Sequence, residues 1–98
     1  MNGPQNFAVS AVKDDSDHKF IVKAKVHLEP SHFLLGEWYR NQIVLSICKG
    51  NRWTTILEEG ADWRKGADIH VVEVGGRKYL RTDGNEVEED NLGELPGF

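Results

Sequence analysis

Four histidines (His18, His27, His32 and His70) and one cysteine, Cys48, are the side chains of this 98-residue chain best suited to bind a metal. A zinc site needs such ligands at short fixed spacings, and no C-x-x-C, H-x-x-x-H or H-E-x-x-H run occurs. His27 and His32 stand on either side of Pro30, so they cannot share a helical face. Structural or surface roles are expected for all four. Nucleophilic chemistry has no better support. Cys48 lies in an apolar run, where a thiol usually serves as inert packing, and Ser10, Ser16, Ser31 and Ser46 lie in no nucleophile elbow. Asp14-Asp15-Ser16-Asp17 lacks the glycine and distal glutamate of a calcium loop. Gly75-Gly76 is explained by a hairpin turn and needs no phosphate. The expectation is a protein that is not an enzyme and uses no cofactor or metal.

Binding surfaces are better represented. Within "HFLLGEWYR", five large apolar or aromatic residues fall in seven positions, more than a small core readily holds beside Trp53 and Trp63. Phe33, Leu35, Trp38 and Tyr39 are therefore candidates for a protein interface or for self-association, where aromatic anchors dominate. Lys19, Lys23 and Lys25 form a basic stripe on alternate positions, which offers a nucleic-acid-binding face as one alternative. Lysines also blunt exposed strands, and the acidic balance of the chain, net −4, counts against a nucleic-acid partner. Charge is unevenly spread: residues 1–81 hold 12 basic and 10 acidic side chains, and residues 82–98 hold none and 6. A small inhibitor or immunity protein whose tail mimics a polyanion is the other alternative.

These candidates must be positioned by a single domain, residues 1–98, since the length suits no more than one. Phe20–Leu28 alternates apolar and polar residues, the mark of a half-buried strand, and pairs with Phe7–Val12 across the aspartate-rich turn. Breaks are expected at Glu29–His32 and at Gly36. From Arg40, the spacing of Ile43, Val44, Ile47 and Cys48 predicts a helix that ends at Gly50. Arg52–Leu57 is β-prone, and "EEGADWRKGAD" reads as a loop. Gly75-Gly76 then predicts a two-residue hairpin turn, which sets the pairs Val74–Arg77, Glu73–Lys78, Val72–Tyr79, Val71–Leu80, His70–Arg81 and Ile69–Thr82. The fold class is α+β: antiparallel hairpins packed with one helix. The absence of a signal-peptide pattern, of a membrane-spanning run and of paired cysteines predicts a soluble, cytoplasmic protein with no membrane partner.

The last 20 or so residues carry the most specific pattern. Tyr79-Leu80-Arg81-Thr82, a polar spacer, then Asp90-Asn91-Leu92, Leu95 and Pro96 resemble the C-terminal signature of the uncharacterised-domain family 3892, short bacterial and phage-associated proteins. The rest of the chain follows in the expected order, from "FAVSAVKDDSDHKF" to "IHVVEV". That resemblance implies no activity and no catalytic residues. Tyr79, Arg81, Asp90, Asn91, Leu92 and Leu95 are read as a structural motif. Asp90 would bond to backbone donors, Arg81 would neutralise tail carboxylates, and Val87, Leu92 and Leu95 would make the tail an ordered part of the domain.

Overall fold

The computed structural model describes residues 5–17, 20–83, 88–93 and 95–98. His18, Lys19 and Val87 lie outside the described residues. Strands β1 (Asn6–Asp14) and β2 (Ile21–Leu28) form the expected N-terminal hairpin, with a bulge at Ser10 between the Val9–Val26 and Ala11–Lys25 pairs.

A third strand, β3 (Phe33–Tyr39), corrects the reading of Gly36 as a break. Gly36 takes φ 123°, and Leu35 bulges between the Gly36–Val26 and Leu34–His27 pairs. Such a φ suits glycine alone, so this residue lets the strand bend and continue. Helix α1 (Arg40–Cys48) follows without a loop. Its first turn is held by Gln42, whose Oε1 accepts the Tyr39 N–H at 2.9 Å. It stops where predicted, with the Gly50 N–H donating to Ile47 O at 3.0 Å.

The helix reverses the chain, so that β4 (Arg52–Glu59) runs parallel to β1 over Asn6–Val9. That parallel pair was not expected: it joins the predicted antiparallel hairpins into one six-stranded mixed sheet, ordered β3-β2-β1-β4-β5-β6. "EEGADWRKGAD" is no loop either, because it holds the end of β4 and the start of β5 (Asp62–Val74). Gly66 is needed there for close approach: a Cβ on it would lie 2.0 Å from Thr55 Oγ1, the atom that accepts the Ala67 N–H at 3.0 Å. The hairpin of β5 with β6 (Arg77–Arg81) has the predicted register from Val74–Arg77 to His70–Arg81. Only the sixth predicted pair is missing, because the Thr82 N–H donates to Asn91 O instead.

Helix α1 packs on one face of the sheet. Ile43 is buried there with Phe7, Val9, Val26, Trp53 and Leu80, and Val44 and Ile47 lie against them. Trp53 stacks on Phe7 at 4.7 Å and donates its indole N–H to Ser46 Oγ at 2.9 Å, so its one polar atom is satisfied. The opposite face has no helix, yet Ser10, His27, Thr54 and Ile56 are buried on it. Flat strands about 4.8 Å apart would hold β5 roughly 14 Å from β2. The Trp63 ring on β5 nevertheless sits 5.2 Å from the His27 ring on β2. The β4–β5 hairpin therefore curls over this face and covers it.

Candidate functional site

Strand β3 is an edge of the sheet, and all four residues of the proposed interface lie on it. Phe33 and Tyr39 are 66% and 63% exposed, and Leu34 and Leu35 are also open to solvent. Trp38 behaves differently. It pairs with Ala24 on the helix side and packs half-buried on Phe7 and Trp53, at 5.4 and 5.6 Å. Strand alternation explains the split, since neighbours such as Trp38 and Tyr39 must point to opposite faces. One residue of the candidate set is thus committed to the core, and Phe33, Leu35 and Tyr39 are available.

Of the basic stripe, Lys23 and Lys25 lie on the outer face of β2, with Tyr39 and Glu37 as their respective partners on β3. Lys23 Nζ is 2.6 Å from Glu37 Oε1. Hydrogen bonding to Lys23 holds the Glu37 carboxyl below its usual range, and the same bond pushes the Lys23 ammonium up. Both lysines also lie over the Phe98 ring, Lys25 at 5.0 Å and Lys23 at 6.0 Å. This face is partly neutralised by its own strand partner, which leaves less of it for a phosphate backbone.

The tail motif converges on one carboxylate. The Asp90 side chain is fully buried. Its Oδ2 accepts from the Ile21 N–H at 2.9 Å and Arg40 Nε at 2.6 Å, and its Oδ1 from the Leu80 N–H at 2.8 Å and an Arg40 terminal nitrogen at 3.0 Å. Four donors from β2, α1 and β6 meet one residue of the tail, and the bidentate pair with Arg40 supplies the compensating charge. The same Arg40 also donates to Lys78 O and lies over the Phe20 ring at 5.7 Å.

Next to this knot, Arg81 is buried and makes a bidentate bond to Asp83, at 2.7 and 3.0 Å, and a third bond to Glu89 O at 2.8 Å. The Asp83 bonds push its guanidinium further toward the charged form. Tyr79 is buried and stacks with Phe20 at 5.8 Å. Asn91 Oδ1 accepts the Gly93 N–H at 2.8 Å, Leu92 is buried, and Leu95 packs partly covered on the core. Further on, the Val12 N–H donates to Pro96 O and the Phe98 N–H to Val12 O, at 3.0 and 3.1 Å. These bonds fill the β1 edge that β4 leaves free beyond Val9.

A family model matches residues 8–96, a span that includes both the β3 edge and the Asp90 knot; it is described as protein of unknown function, DUF3892. The chain belongs to this family. No curated protein and no solved structure matches it. Within this DUF3892 chain, no helix among the described residues is long and apolar enough to cross a membrane.

The histidines and the cysteine complete the inventory. No group of three or more potential metal ligands is present among the described residues. His27 is buried, with Nε2 2.7 Å from Ser10 Oγ and Nδ1 3.1 Å from His32 O. His32 Nδ1 lies 2.7 Å from Glu29 Oε2, and His70 is exposed on β5. Cys48 corrects its expected burial, because it is exposed at the end of α1 with Lys78 Nζ 3.9 Å from its sulfur. Arg40 was the functional partner least visible in sequence. It reads as one position of a helical face, and nothing local couples it to an aspartate 50 residues later.

Proposed function

We propose that this DUF3892 protein is a small non-enzymatic binding module that meets a protein partner, a second copy included, through the β3 edge. The observation that supports the reading is an edge strand with four exposed large apolar residues, Phe33, Leu34, Leu35 and Tyr39. Natural edges are usually guarded by lysines, by proline or by a covering segment. β3 holds one charged residue, Glu37, and no proline. An extended segment of a partner can add to such an edge through main-chain hydrogen bonds, with aromatic side chains as anchors. The tail residues Asp90, Asn91 and Leu92 belong in this reading to the frame that holds the opposite edge, and the lone cysteine suits a cytoplasmic setting.

The test is capture of partners from native cell extract with the wild-type chain and with the double variant Phe33→Lys/Leu35→Lys. Light scattering of both proteins across concentration reads self-association. Loss of capture or of the oligomer in a folded variant is expected. If both proteins capture the same set and have the same mass, the β3 edge is not the interface.

A further inference from the structure

On the face away from α1, the curled β4–β5 hairpin encloses a groove of about 410 Å³. Ser10 and His27 line it from the sheet, Leu34, Lys25 and Phe98 from one side, and Trp63 from the other. We propose that this groove binds a small aromatic anion: a planar ring that carries a carboxylate at one end and a hydrogen-bond donor at the other.

Each part of that ligand answers a feature of the groove. At the floor, His27 Nδ1 faces a carbonyl oxygen, which can only accept, so Nδ1 carries a proton, and in the neutral imidazole Nε2 is left to accept. Ser10 Oγ, 2.7 Å away, then spends its proton on Nε2 and is left with lone pairs that can accept. Ser10 is only 9% exposed, so this oxygen is an acceptor held at a fixed place by a buried network. A ligand O–H or N–H is what it can take. The walls suit a ring. Trp63 stands edge-on to His27, and the groove volume falls in the range of small-molecule sites.

Charge orients the ligand. Lys25, paired with Glu37 on β3, is the one lysine or arginine among the described residues that line the groove. Glu58, the cross-strand partner of Trp63, lines the hairpin side and repels an anion there. The carboxylate is therefore directed to Lys25. That rim already accommodates one aromatic ring, since Lys25 lies 5.0 Å from the centre of Phe98.

The probe is 4-hydroxybenzoate, titrated into the full chain by calorimetry and by protein-observed NMR. Saturable one-to-one binding is expected, with shifts centred on Ser10, Lys25 and the Trp63 indole. Benzoate, without the donor, and 4-hydroxybenzyl alcohol, without the charge, should each bind about tenfold more weakly. Lys25→Gln should weaken the acid about tenfold and leave the alcohol unchanged; Ser10→Ala should erase the difference between 4-hydroxybenzoate and benzoate. Should Ser10→Ala fail to fold, Lys25→Gln, a change at the rim, carries the test alone. Absence of saturable binding up to millimolar acid would overturn the proposal, as would binding that Lys25→Gln leaves undiminished. Covalent labelling of Ser10 by a fluorophosphonate would overturn it too, because the hydroxyl would then be a nucleophile and not an acceptor.

Discussion

The two edges of this sheet are treated in opposite ways. At β6, the tail supplies the neighbour that the edge lacks: the Asn91 N–H donates to Leu80 O at 2.7 Å and the Thr82 N–H to Asn91 O at 3.1 Å. Asp90 then ties this segment to β2 and α1 through buried, charge-assisted bonds. At β3, no strand lies outside the edge among the described residues, and large apolar side chains face water. An edge closed by its own chain is a stability device. In the proposed reading the one left open is where a partner binds, and the comparison predicts that changes at the two edges have different readouts.

The largest effect is expected from Asp90→Ala. It strips four donors of their acceptor and leaves the Arg40 guanidinium without its partner, a loss of about 3–5 kcal/mol. At roughly 4–8 °C per kcal/mol for a domain this size, thermal denaturation should show a fall of well over 10 °C. A shift of only a degree or two would mean that the knot is not closing the edge. Next comes Leu92→Ala, which empties a buried site and should cost about 2–4 kcal/mol in denaturant titration. Deleting the residues after Asp90 removes Leu92 together with the Asn91 and Val12 bonds, so the melting temperature should drop at least as far as in Leu92→Ala. An unchanged melting curve would return the segment to a loose acidic tail.

At the other edge, Phe33→Lys/Leu35→Lys should change stability by no more than about 0.5 kcal/mol while abolishing partner capture or self-association. A large loss of stability would erase the contrast between the edges. Trp38→Ala is the sharpening control. It faces Phe7 and Trp53, so it should destabilise the fold measurably, unlike its neighbour Tyr39→Ala.

The smallest effect is expected for Glu37→Gln, which breaks the exposed pair with Lys23. Because the folded Glu37 carboxyl titrates below its ordinary value, its contribution exists above that value and disappears as pH falls through the folded one. The variant should therefore melt slightly below wild type near neutral pH, by about 1 °C or less, and coincide with it once both are protonated in acid. A difference that persisted in acid would point to packing and not to charge.

Elements set by short-range chemistry were legible in the residues. The β5–β6 register follows from Gly75-Gly76, because a two-residue turn leaves a single pairing available. The β1–β2 hairpin and the end of α1 at Gly50 follow likewise from alternation and from a glycine stop. The involvement of Asp90, Arg81 and Leu92 in one motif was visible as a pattern, although its partner was not. Gly36 and Gly66 misled for one physical reason: glycine both ends strands and allows bulges and close approach, and only the neighbours tell which.

What tertiary structure alone decided is everything that joins distant segments. The parallel β1–β4 pair depends on where α1 returns the chain, and the Arg40–Asp90 pair spans 50 positions with no local signal. The burial of Ser10 and His27 depends on a hairpin from the other half of the chain curling over them. Periodicity and turn chemistry act over a few residues and state which side chains share a face. Which faces meet, and which edge is left unpaired, depends on how six strands and one helix close around the same core.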